Sequence, residues 1–211
     1  MGKSNLAAWR GAKANRRKAI VAQKRKAGAM GGTLAGQVAR AASAPIRCCL
    51  LTERLLEHGM GTLLLARGSG AGQLLVGAFL LDTFCLGIKD VVLQPMEPAQ
   101  LEGYLDTMNT ATLMVPIDPG YGRKLLRELS QWSASLGFMP HADFAVAERL
   151  FGDVEVPTFE ASFQFGRGGK VVYMPGPSES PLLVRRRIEQ LTERLEPGGF
   201  DYIDPAEEAA E

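Results

Sequence analysis

The run Thr62-Leu63-Leu64-Leu65-Ala66-Arg67, the loop Gly68-Ser69-Gly70-Ala71-Gly72 and the run Leu74-Leu75-Val76-Gly77-Ala78-Phe79-Leu80-Leu81 decide the fold class. Two apolar runs flank glycines that admit the positive φ values a hairpin needs, so the stretch reads as two antiparallel strands. Each run is far shorter than the roughly 20 residues that cross a bilayer. Working outward, residues 46–51 form a strand before the hairpin and residues 88–93 one after it. The prediction is an antiparallel meander of three or four strands, with apolar runs long enough to need helices on at least one face.

The helices follow from caps and spacing. Residues 53–57 make one helical turn closed by Gly59. Pro98 opens a helix with Leu101, Tyr104, Leu105 and Met108 on one side. Asp118 and Pro119 supply an N-cap and a first-turn proline, and Leu125, Leu126, Leu129, Trp132 and Leu136 repeat on one face until Gly137. A shorter helix over 142–151 turns Phe144, Ala147, Leu150 and Phe151 inward and stops at Gly152. Phe159, Ala161, Phe163 and Phe165 alternate, and across Gly166-Arg167-Gly168-Gly169 the chain returns through residues 170–174 as a second hairpin. Ser180 and Pro181 open a last helix with Leu182, Leu183, Ile188, Leu191 and Leu195 inward. The expected class is α+β: a mainly antiparallel sheet, meander plus later hairpin, packed with about four helices.

The chain has 211 residues and 46% hydrophobic content, which suits one core rather than two. Its net charge of +1 conceals a strong asymmetry, because eleven basic residues and no acid precede Cys48. Residues 1–44 read as a basic, Gly/Ala-rich, disordered arm whose glycine-rich part, 28–43, favours a flexible tether. Residues 45–204 read as the α+β domain and 205–211 as an acidic tail. Cys48, Cys49 and Cys85 are too few for a disulfide framework, so reduced thiols and a cytoplasmic setting are expected.

Chemistry concentrates at Asp82-Thr83-Phe84-Cys85-Leu86-Gly87-Ile88-Lys89-Asp90, where a thiol, two carboxylates and an ammonium meet at a junction of strands. A cation beside the thiol favours thiolate, which would make Cys85 a nucleophile. The opposing reading buries Cys85 between Phe84 and Leu86 and pairs Lys89 with Asp82 or Asp90. His141, at the start of a helix with Asp143, would complete a catalytic set Cys85, His141 and Asp143, beside a cleft holding Asp82, Lys89 and Lys170. His58, His141 and the cysteines have no metal-ligand spacing, and residues 68–72 lack the Lys-Ser/Thr pair of a phosphate loop, so neither metal nor cofactor is expected.

The arm offers a partner class. Lys13, Arg16, Arg17, Lys18, Lys24, Arg25 and Lys26 suit successive phosphates of RNA or DNA, and Trp9 adds a stacking group. Alternatively the arm is a solvated leader, docks on the protein's own acidic surface, or pairs with an acidic protein. The leading expectation is an accessory protein binding nucleic acid or a ribonucleoprotein. A small thiol-dependent hydrolase or transferase and a protein-interaction module stand beside it; no membrane role is expected.

Residues 77–90, residues 136–144, and Phe163-Gln164-Phe165-Gly166 with Gly169-Lys170 and residues 173–177 resemble a family of uncharacterised bacterial proteins. Some members carry a Cys-rich, zinc-binding SEC-C segment at the C-terminus, which is replaced here by an acidic tail; Val171 stands where the family pattern has proline. The resemblance spans roughly residues 46–203. It implies a single domain and points to Asp82, Cys85, Lys89, His141 and Asp143, without implying a reaction.

Overall fold

The computed structural model describes residues 32–69, 72–157, 162–176 and 179–203. Its centre is a five-stranded antiparallel sheet built from β1 (Ile46–Thr52), β2 (Met60–Arg67), β3 (Leu74–Asp82), β4 (Gly87–Met96) and β5 (Met114–Pro116), in the order β4-β3-β2-β1-β5. The predicted meander is present. The short edge strand β5 was not foreseen, because Met114-Val115-Pro116 is too brief to carry an alternating signal. Both edges hold a proline, Pro95 and Pro116, which blunts them against further pairing.

The apolar runs are continuous because both sheet faces are covered. Leu63, Leu65, Leu75, Phe79 and Leu81 point into the larger core, formed with α1 (Leu34–Ala41), α4 (Pro119–Ser135), α5 (Phe144–Ala147) and the 3-10 turn Glu148–Phe151. Leu64, Ala66, Leu74 and Val76 face the other way, onto α3 (Pro98–Ala111) through Leu101, Leu105 and Met108. The small α2 (Leu55–His58) caps the start of β2 and ends at Gly59 with φ 80°. Asp118 caps α4, its carboxylate accepting from the Tyr121 N–H at 3.0 Å, as the sequence predicted. The helix expected over 142–151 divides into α5 and the 3-10 turn, and Gly152 ends it with φ 60°. A Cβ on Gly152 would lie 2.3 Å from the Ala42 carbonyl oxygen, so that close approach requires glycine.

Three expectations need correction. The tether reading fails where the structure describes it: Thr33 caps α1, and Val38 is fully buried in the larger core. Val38 and Ala41 supply the apolar contact that the glycine-rich composition concealed. Residues 1–31 of the arm lie outside the described residues, as do 204–211 of the tail.

The second hairpin keeps only its turn. Arg167 and Lys170 form an isolated bridge, while β6 (Val171–Tyr173) pairs in parallel with β7 (Phe200–Tyr202) across α6 (Pro181–Arg194). Phe163 and Phe165 run beside α4 without a strand partner, stacking near Tyr121 and Trp132; Phe159 and Ala161 are outside the described residues. On α6, Leu182 and Leu183 are exposed, and the buried stripe is Val184, Ile188 and Leu191. Counting back from Leu191 by helical steps gives 188 and 184, which bypasses the two leucines.

Candidate functional site

The connection between β3 and β4 is a buried turn. Asp82 organises it, its Oδ1 accepting from the Phe84 N–H at 3.0 Å and the Cys85 N–H at 2.9 Å. Gly87 closes it with φ 73°; a Cβ there would meet Ser133 Oγ at 2.2 Å. The turn is tied outward as well: the Val172 N–H donates to the Phe84 carbonyl, which hangs β6 on it. Phe84, Cys85 and Leu86 are buried, with Cys85 packed among Leu136, Phe138, Val171, Tyr173 and Leu191.

Polar groups from three elements meet beside this turn. Glu179, just before α6, holds a carboxylate only 10% exposed. Its Oε2 accepts from the Tyr173 hydroxyl of β6 at 2.6 Å. Arg187 of α6 presents Nη1 to the same oxygen as an ion pair. Lys89 of β4 approaches Oε1 at 3.7 Å. The Arg187 guanidinium also stands 5.9 Å from the centre of the Tyr173 ring.

The electrostatics follow from burial and neighbours. Burial alone would raise the Glu179 carboxyl, but the Tyr173 hydroxyl, the Gly176 N–H and Arg187 outweigh it and hold the group below its ordinary value. Asp82 goes the other way: burial raises it despite Lys89 and the turn N–H groups. The Tyr173 hydroxyl is pushed up by burial and by its bond to Glu179. The Cys85 thiol is also pushed up, first by burial and then by Asp82, with Arg187 and Lys89 too weak to reverse it. That is the opposite of an activated nucleophile.

The sequence-predicted site residues separate into distinct places. Asp82, Cys85 and Lys89 share the turn and its surroundings, but Lys89 pairs with Glu179 and not with Asp82 or Asp90. Asp90 faces His141, 3.7 Å from its Nε2, and the Asp143 N–H donates to His141 Nδ1 at 3.3 Å. No hydrogen bond or ion pair joins His141 or Asp143 to Cys85 among the described residues. Lys170 stands apart, bound to Asp201 at 2.5 Å on β7, so it does not share a cleft with Asp82 and Lys89. The cationic residues Lys13, Arg16, Arg17, Lys18, Lys24, Arg25 and Lys26 all lie in 1–31, outside the described residues. Among the described residues no group of three metal-ligating side chains comes together, and no helix is long and apolar enough to cross a membrane.

Sequence reasoning missed Tyr173, Glu179 and Arg187. A signal for Arg187 was present: Val184, Arg187, Ile188 and Leu191 occupy one helical stripe, and a cation on an inward stripe demands an acid. Comparisons of the chain with family models, with curated proteins and with solved structures return no match.

Proposed function

We propose that this is a cytoplasmic accessory protein whose N-terminal residues 1–31 bind nucleic acid, alone or within a ribonucleoprotein, through phosphate contacts. The observation that carries the reading is the distribution of charge. Residues 1–31 hold nine Lys and Arg and no acid, whereas thirteen basic residues face 23 acidic ones from Cys48 onward. Many cations of the folded part are already matched by its own carboxylates: Arg123 and Arg127 on Glu148, Lys124 on Glu128, Lys170 on Asp201. Only the N-terminal segment combines cations at high density with no acid in the same stretch, the composition that gains from releasing counterions from phosphates. The surplus acid on the folded part disfavours nucleic acid there and leaves the segment as the contact.

The thiol-enzyme reading draws little from the site, because Cys85 is 0% exposed and, among the described residues, neither His141 nor Asp143 bonds to it. The test compares the full chain with one beginning at Gly32, which retains α1, by fluorescence anisotropy on single-stranded RNA and duplex DNA. Seven phosphate contacts imply that affinity falls between 50 and 200 mM salt by roughly three orders of magnitude on the single-stranded RNA and nearly four on the duplex, and that the truncated chain binds neither probe. Equal binding by both chains overturns the reading. Binding only to acidic proteins would favour an interaction module instead.

A further inference from the structure

The carboxylate of Glu179 sits where a ligand's would. Lys89, Tyr173 and Arg187 come from β4, β6 and α6; the tyrosine hydroxyl donates to it and the two cations pair with it. The acceptor itself arrives on the loop before α6, separate from the elements that hold the donors. The two cations and the hydroxyl are carried by packed strands and a helix, whereas Glu179 is carried by a loop. The match is uneven: Arg187 Nη1 lies against Oε2, while Lys89 stands 3.7 Å from Oε1, beyond hydrogen-bond distance. A guanidinium is built for bidentate pairing with a planar carboxylate or with phosphate oxygens, which this single glutamate oxygen does not supply.

We propose that Lys89, Tyr173 and Arg187 form a binding site for a small oxyanion, a carboxylate or a phosphate, and that Glu179 occupies it in the unliganded protein. Asp82, the carboxyl that Lys89 also feels, has its Oδ1 already committed to the turn N–H groups. The site reaches solvent, since the side chains of Lys89 and Arg187 are 19% and 23% exposed, while Tyr173 closes it from below at 0%. Gly176 borders it without a side chain; a Cβ there would lie 3.3 Å from Glu179 Oε1 and 3.8 Å from Lys89 Nζ. The residue acts as an internal competitor, so the affinity for an external anion is reduced by the fraction of time Glu179 stays in place.

The test titrates inorganic phosphate and acetate, at constant ionic strength, into the full-length wild type, Glu179→Ala and Glu179→Ala/Arg187→Ala, by calorimetry and by thermal melting. Comparing variants of the same full-length chain cancels any anion binding to residues 1–31. Glu179→Ala is expected to bind one of the two anions at least tenfold tighter than wild type and to recover melting temperature in its presence. The double variant loses both effects. The anion that binds more tightly assigns phosphate or carboxylate. Equal affinity in wild type and Glu179→Ala overturns the proposal, and so does a double variant that binds as well as the single one. Should Glu179→Ala fail to fold, Glu179→Ser removes the carboxylate and shortens the side chain so that the site is vacated, and the same two comparisons decide.

Discussion

Replacing Arg67 with methionine tests how the N-terminal helix is held to the sheet. The Arg67 guanidinium is 4% exposed and donates to three carbonyls: Ala42, Ala44 at 2.8 Å and Phe151 at 2.7 Å. These are the ends of α1 and of the 3-10 turn, so one side chain ties the exit of both to the last residue of β2. The carboxylate it pairs with among the described residues, Asp153 at 3.7 Å, is 97% exposed and screened by water. Stability therefore resides in the carbonyl bonds and not in the ion pair. Methionine fills the volume but takes the donor from the buried Phe151 carbonyl, at about 1–3 kcal/mol, and from the half-buried Ala42 and Ala44 carbonyls at less each, for a total of roughly 3–5 kcal/mol. Against a domain stability of about 5–15 kcal/mol that is a large fraction. Urea denaturation followed by circular dichroism would show the midpoint falling by more than 1 M for a slope of about 2 kcal/mol/M. Hydrogen exchange would rise first in residues 34–41, and Asp153→Asn would leave the midpoint unchanged. A loss below about 1 kcal/mol for Arg67→Met, or an equal loss for Asp153→Asn, would refute the reasoning.

Two carboxyls should give opposite pH signatures. The raised Asp82 binds its proton more tightly in the folded state, so its stability contribution is complete below about pH 4 and is lost as pH rises through its folded value. Asp82→Asn, which can still accept from the turn N–H groups, should gain on wild type between about pH 4 and 8. The lowered Glu179 contributes above about pH 4 and fades as pH falls through its folded value, so the deficit of Glu179→Gln should vanish in acid. Parallel stability curves for wild type and either variant, from urea titrations across that range, would contradict the assignment. Thiol labelling of the native protein should modify half-buried Cys48 first and leave Cys85 untouched until global unfolding. Fast labelling of Cys85, read by peptide mass, would revive the nucleophile.

The meander was legible because its signals are local: glycines at one turn, apolar runs on either side, Asp118 and Pro119 ahead of the longest helix. What stayed hidden depends on distant partners. The glycine-rich stretch before β1 looked like a tether, yet Thr33 caps it and Val38 finds a pocket contributed by elements far along the chain. Residues 171–173 carry the same alternation whether their neighbour is antiparallel or parallel, so composition could not choose between a hairpin and β7. At the candidate site, Asp82, Cys85 and Lys89 were found because they lie within eight residues of one another. Tyr173, Glu179 and Arg187 were missed because only the folded chain brings them to Lys89. The pairing of Cys85 with His141 illustrates the converse: residue types suited to catalysis occur in the sequence, while the turn buries one and Asp90 faces the other.

The parallel pairing of β6 with β7 has a temporal consequence. Strands of the meander can zip together across their own short turns, but 26 residues separate Tyr173 from Phe200, and their ladder waits until the chain has doubled back through α6. Lys89 belongs to the part paired across short turns; Tyr173 and Arg187 belong to the part closed over the long connection. The cage around Glu179 is thus a seam between locally closed and distantly closed parts of the chain, and it exists only where both are in place.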